Sequence, residues 1–345
     1  MISRKSVRSA ILGITSTALL FSNLIFISQP SQAAPNLADV RLKVRALQED
    51  AASAGEAAQQ AQVELNSLNR TLASVQKQAA AQAVTVSQFK ASLGNIAREQ
   101  YKSGGISQSM ELLFSSDPSL YLAAAGSLEA VTRKQSLQLR QYSAAKQRLT
   151  ATSLTVNDKV ALAKAAQARY TAQQAAAQDK LAQAEKLLAS LTKAERERLA
   201  RLVNDQENAD QAASNALVAK ANLGSGRGAL ALRFSIKQIG DRYVFGAAGP
   251  TLWDCSGLTM RAFGAAGVSM PHSAAAQANY GKKVAFNKLQ PGDLVFFGRH
   301  HYISHVGIYL GGGRMVNAPH PGARVKVEGF SGSFGSLSFY GARRI

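Results

Sequence analysis

An uninterrupted heptad seam near the N-terminus constrains this chain more than any other feature. From Leu37 through Val40, Val44 and Leu47 to Phe89, Leu93 and Ile96, apolar residues and alanines alternate by threes and fours without a skip, and only Gln82 is polar. A 3.5-residue repeat winds a helix around a partner in a left-handed supercoil. At 1.5 Å per residue this helix runs about 90 Å. Alanines at 51, 54, 58, 61 and 79 let helices approach closely but bury little, so the middle of the seam is its weakest part.

The pattern stops at Gly104-Gly105, a helix-ending pair. An apolar segment follows, with Met110, Leu113, Phe114 and Tyr121 around Asp117-Pro118, where Ser116 or Asp117 caps a short helix. Helix resumes near Leu128 and continues to about Lys220 on a looser seam that includes Leu139, Tyr142, Leu149, Val156, Val160 and Leu202. Residues 34–221 are therefore expected to form a long antiparallel coiled-coil hairpin with an apolar tip at 101–128. The tip either plugs the helix ends or docks a partner, the usual meaning of an exposed apolar patch. Residues 222–228 hold three glycines and lack the Gly-Lys-Ser/Thr ending of a phosphate loop. They read as a flexible linker that lets the next domain swing.

Residues 229–345 suffice for one compact domain. Helices are expected at 229–239, from Ser256 to about 264–267, and from Ser273 to before Gly281. Strands follow at 293–298, 305–310, 314–317, 324–327 and 337–342. Helices followed by consecutive strands predict an α+β fold with an antiparallel sheet.

The first 33 residues have the order of a signal peptide: basic Arg4, Lys5 and Arg8, an apolar stretch over 10–27, and the small-residue site Ser31-Gln32-Ala33. The formal net charge is +19, and residues 224–345 alone carry fourteen Lys and Arg against four Asp and Glu. Such a field attracts anionic polymers. Export turns that preference away from nucleic acid and towards wall polymers or anionic lipids.

Cys255 is the single cysteine, so an exported chain keeps it as a free thiol. It stands where an irregular Gly/Pro segment meets an apolar helix. Unpaired backbone N–H groups there are expected to lower the thiol pKa and to receive an oxyanion. His305, opening the strand His305-Val306-Gly307-Ile308-Tyr309-Leu310, is the expected base. A third polar group orients such an imidazole. If Gly312-Gly313 make a two-residue turn, Asn317 falls opposite Ile308 and His320 falls across from His305. A one-residue glycine bulge puts Asn317 opposite Gly307, on the His305 face. Asn317 is the leading candidate and His320 the alternative. His300, His301 and His305 lack nearby supporting carboxylates for zinc, and a thiolate with an imidazole needs no metal. No cofactor is expected.

Residues 243–246, Asp254-Cys255-Ser256-Gly257-Leu258, Leu289-Gln290-Pro291-Gly292-Asp293-Leu294-Val295-Phe296-Phe297 and 305–318 resemble, in order and spacing, the NlpC family of papain-like peptidases. The resemblance covers nearly all of 230–345. It implies that Cys255 is the nucleophile, His305 the base and Asn317 the orienting residue. By the same likeness Tyr243 lines the site and helps bind substrate or oxyanion, and Asp254 and Ser256 contact the free end of a peptidoglycan stem peptide. Ser273 matches a substrate-side serine that the family often precedes with arginine, where this chain has His272. The implied reaction is hydrolysis of the γ-D-glutamyl to diamino-acid bond, the diamino acid being meso-diaminopimelate, through a thioester and without metal. The N-terminal half is more loosely similar to the coiled coil of PcsB- and RipC-like wall hydrolases. That likeness implies engagement of the tip by an FtsEX-type membrane complex and a role in cell division or wall remodelling. The expectation is a secreted, extracytoplasmic peptidoglycan endopeptidase of the periplasm or cell wall, restrained through its hairpin. The rivals are an amidase or acyltransferase on the same scaffold, and a non-catalytic wall-binding scaffold that docks a membrane partner.

Overall fold

The computed structural model describes residues 36–102, 118–299 and 302–345. The expected signal segment, most of the hairpin tip and the His300-His301 pair lie outside them. Helix α1 (Leu37–Lys102) runs 66 residues and α2 (Pro118–Ala189) runs 72. They pack against each other along the seam, where Leu65 meets Ala163 and Ala166 and Arg169 reaches Glu64 at 2.6 Å. Alanine faces give these helices close approach rather than deep burial.

The return helix differs from expectation in three ways. It begins at Pro118, ten residues before Leu128. Its inward row includes the half-buried Tyr142, Leu149 and Val156, whereas Leu139 is 55% exposed. It also ends at Ala189, and a separate helix α3 (Lys193–Ala219) starts at a capping box. There Thr192 Oγ1 accepts from Glu195 N at 3.3 Å, and Glu195 Oε2 accepts from Thr192 N at 2.8 Å. Two orphan donors are thereby satisfied and the chain can change direction. Leu191, at the corner, is buried with Val40, Val44 and Leu199. Leu202 lies on the outer side of α3, 44% exposed.

The C-terminal domain opens with α4 (Gly226–Ile236), which takes in the last residues of the expected linker. Strands β1 (Arg242–Tyr243) and β2 (Leu252–Trp253) form a short parallel pair leading into α5 (Cys255–Ala265) and the single-turn α6 (Ala274–Gln277). The antiparallel sheet follows: β3 (Lys282–Val284), β4 (Leu294–Arg299), β5 (Tyr302–Gly311), β6 (Arg314–Asn317), β7 (Lys326–Gly329), β8 (Ser333–Phe334) and β9 (Leu337–Arg344). Its spatial order is β3-β9-β4-β5-β6-β7, with β8 paired to β9. Leu232, Trp253, Leu258, Phe263, Phe296 and Ile308 form the core between helices and sheet, and Val295, Phe297, Met315 and Phe330 pack on the opposite face.

Edge strand β7 is closed by α3 rather than by solvent. Ser214 Oγ accepts from Val327 N at 2.9 Å, Gln211 Nε2 donates to Val325 O at 3.3 Å, and Glu207 accepts from Arg324 N at 3.2 Å. Lys326 Nζ donates to Glu207 Oε1 and Asp210 Oδ2, each at 2.8 Å. A helix assigned by sequence to the hairpin thus completes the sheet, and the domain does not swing free of it here. Among the described residues no helix is long and apolar enough to cross a membrane. Ser214→Ala should leave the buried Val327 N–H unpaired and cost about 1–3 kcal/mol, measured as a lowered urea midpoint at constant m-value.

Candidate active site

The start of α5 is organised by Asp254. As N-cap its Oδ1 accepts from Gly257 N at 2.6 Å, and its Oδ2 accepts from Gly246 N at 2.8 Å. His272 Nε2 lies 2.8 and 2.9 Å from the two oxygens. Burial opposes the His272 charge, but the Asp254 carboxylate outweighs it and raises the pKa. The His272 imidazole therefore pairs with the capping carboxylate. Cys255 follows in the first turn, fully buried, with the backbone N–H of Val306 directed at its sulfur. Val306 is the residue after His305, so β5 brings the imidazole strand onto the thiol.

Register decides which residue meets His305. Ile308 pairs with Val316 and Tyr309 with Met315, and the ladder then shifts before Gly311 pairs with Arg314. Gly312 and Gly313 both adopt positive φ, +61° and +69°, which suits them to the turn. The bulge moves Asn317 opposite Gly307, and His305 Nε2 lies 3.0 Å from Asn317 Oδ1. His320 is directed elsewhere, its Nδ1 2.9 Å from Pro321 O. Burial, with a smaller effect from His320, lowers the His305 pKa to about 4 although Asn317 pulls it upward.

The thiol does not hydrogen-bond to His305. Its partner comes from the coiled coil: Cys255 Sγ donates to Glu56 Oε1 at 3.0 Å. Glu56 Oε2 accepts from Ala274 N at 2.8 Å, and the Ser256 hydroxyl also reaches this carboxylate. One turn on, Gln60 Oε1 accepts from Ser273 Oγ at 2.8 Å. Gly55 lies flat against the Phe245 ring, where even a methyl group would overlap it. Ala52, Gly55 and Glu56 are all buried, forming a second stripe on α1 beside its coiled-coil seam. The stripe covers the cleft that holds Cys255, Ser256 and Ser273.

This cover reverses the expected acidity of the thiol. Burial, then Glu56 and Asp254, push the Cys255 pKa well up, and only the Val306 N–H favours the thiolate. Burial and Asp254 raise the Glu56 pKa as well, against the hydrogen bonds from Cys255, Ser256 and Ala274. Tyr243 is buried next to the same groups, and burial, Cys255, Asp254 and Glu56 raise its pKa well above the ordinary tyrosine value. Tyr302 also faces the cleft, its hydroxyl buried without a hydrogen bond. Among the described residues no group of three or more His, Cys, Asp or Glu could hold a metal.

Heptad counting missed Glu56 because it registers only one face of a helix. The available signal was Gly55, a helix-weakening residue inside a strong helical pattern, which usually has a packing reason.

Residues 240–344 match the NlpC/P60 family model. They are an NlpC/P60 domain. Residues in this region are 44% identical over 97 positions to a probable endopeptidase p60 of Listeria monocytogenes, covering 28% of this chain and 20% of the listerial one. They are 45% identical over 93 positions to a probable endopeptidase of Mycobacterium bovis, covering 27% and 24%. The chain thus spans about a quarter or less of the length of these relatives. The solved NlpC/p60 domain of the peptidoglycan hydrolase SagA is 32% identical, covering 34% of this chain and 98% of that one with a TM-score of 0.31.

With the cleft closed, iodoacetamide at pH 7 should label Cys255 roughly tenfold or more slowly than in the urea-unfolded chain, because reaction needs local opening. Docking raises the Glu56 pKa, so its stabilisation of the closed state is full below the undocked pKa and falls as pH rises through the docked one. Labelling of the folded protein, relative to the unfolded control, should therefore increase with pH, and Glu56→Gln should flatten that increase.

Proposed function

We propose that this protein is an exported peptidoglycan endopeptidase kept latent by its own coiled coil. Cys255 attacks the γ-D-glutamyl carbonyl of a stem peptide, and the amine of the diamino acid, meso-diaminopimelate, leaves with a proton from His305. Water then hydrolyses the thioester, with His305 as base, and Asn317 orients the imidazole through both steps. Tyr243 and the α5 N–H groups receive the oxyanion, and Asp254, Ser256 and Ser273 bind the stem peptide. The observation that carries this reading is a thiol at a helix start beneath the His305 strand, with the imidazole hydrogen-bonded to Asn317, inside an NlpC/P60 domain.

Restraint rests on Glu56 and Gln60, which use the groups a bound peptide needs: the thiol, the Ser273 hydroxyl and the Ala274 N–H. While α1 is docked the nucleophile is protonated and covered. Activation requires the hairpin to move, and the tip at 101–128 is the expected place for a membrane partner of the FtsEX type to act, in division or wall remodelling. The 33-residue leader directs the chain to the periplasm or wall, where its basic domain meets anionic polymer.

Gly55→Leu tests both halves of the proposal, because it touches no catalytic group. Forcing a side chain against Phe245 costs about 1–3 kcal/mol of docking, which corresponds to roughly a 5- to 150-fold gain in open form. Purified wall should be digested faster by that variant, with a free D-glutamate γ-carboxyl found by mass spectrometry and no product when Cys255→Ala is added. Release at the lactyl amide would favour the amidase. Fast thiol labelling with no wall product at all would favour the non-catalytic scaffold.

A further inference from the structure

Outside the cleft, the polar groups behind Asn317 form a chain that orients its amide. Asn317 Nδ2 donates to Glu328 Oε2 at 3.1 Å and approaches Lys326 O at 3.5 Å. The Lys326 carbonyl cannot donate in return, and an ionised Glu328 carboxylate cannot either. The amide nitrogen must therefore face β7, and Asn317 Oδ1 must face His305. An oxygen at 3.0 Å from Nε2 requires that nitrogen to carry the proton. The neutral ring then leaves Nδ1 as its lone acceptor, and Nδ1 is the atom available to take a proton from Cys255.

We infer that Glu328 is a positioning residue that fixes the Asn317 amide, and through it the base-competent tautomer of His305. The inference rests on the catalytic roles proposed above for His305 and Asn317. Burial raises the Glu328 pKa, and the charge of nearby Lys326 and the Asn317 hydrogen bond oppose that rise; Lys326 is itself anchored by Glu207 and Asp210 of α3. Arg45 of α1 adds to the positive potential that favours the ionised form. Removing Glu328 leaves Lys326 with two carboxylate partners, so the cation is not orphaned. What changes is the amide: with its main acceptor gone, Asn317 can turn and present N–H to Nε2. The proton of the ring then belongs on Nδ1, and the ring can no longer accept one from the thiol.

The test uses the full chain with Glu328→Leu and Glu328→Gln, each also carrying Gly55→Leu for the kinetic arm. Nitrogen-15 NMR of histidine-labelled protein reads the His305 tautomer directly. Wild type and Glu328→Gln, whose side-chain oxygen still accepts from Asn317, should show the Nε2–H form, and Glu328→Leu should move towards Nδ1–H. On stem peptides, Glu328→Leu should lower kcat roughly tenfold with little change in KM, and Glu328→Gln should stay within about twofold. Adding Asn317→Ala to Glu328→Leu should cause no further loss beyond that of Asn317→Ala alone. An unchanged tautomer in Glu328→Leu, or equal kcat for the Leu and Gln variants, overturns the inference. If His305→Ala or Asn317→Ala turns over normally, the underlying assignment of base and orienting residue fails instead. The NMR result stands whether or not Gly55→Leu activates the enzyme.

Discussion

The arrangement depends on one desolvated carboxylate. Glu56 enters the cleft from α1, shares it with the capping carboxylate Asp254, and finds a thiol, a hydroxyl and a peptide N–H there to bond. Burying a carboxylate is unfavourable unless such donors compensate it. They can do so only because α1 comes very close, and the helix comes close because Ala52 and Gly55 offer it almost no side chain. The thiol and the imidazole consequently share a dry environment in which both are held neutral. The thiol and imidazole proposed above as nucleophile and base are not poised to exchange charge while the helix remains.

Much of this was legible in the residues, and where it was not the cause can be named. The helix-start position of Cys255, the place of His305 on a neighbouring strand and the order of helices before sheet follow from a lone cysteine ahead of an apolar helix and from alternation along β5. The choice between Asn317 and His320 depended on a bulge, which three glycines permit but do not require, and the ladder shift at Gly311 resolves the register. The apolarity of Leu139 suggests a seam position, yet packing follows periodicity, and that phase turns it to solvent. The corner at 190–192 carried its signature openly, since Thr192 and Glu195 have capping-box spacing, but a run of helix-forming residues on both sides concealed it.

The acidity of Cys255 departs from the sequence expectation for a different reason. Helix-terminal N–H groups do favour a thiolate, but that argument assumes access to water or to a cationic neighbour. Here the neighbours are carboxylates and solvent is excluded, so local backbone geometry is overruled by a residue 199 positions away in sequence. No reading of the segment around Cys255 alone could have supplied that partner.

The contact between α3 and β7 has a consequence for where this protein can be divided. The stretch that matches the family ends the sheet at β7, whereas Ser214 bonds that strand at Val327 N, and Glu207 and Gln211 bond the residues leading into it. A fragment cut at the glycine-rich junction would carry a bare β margin, the kind of surface that recruits other chains and promotes aggregation. In this protein the stretch that matches the family, 240–344, is therefore shorter than the body that closes the sheet, which takes in α3.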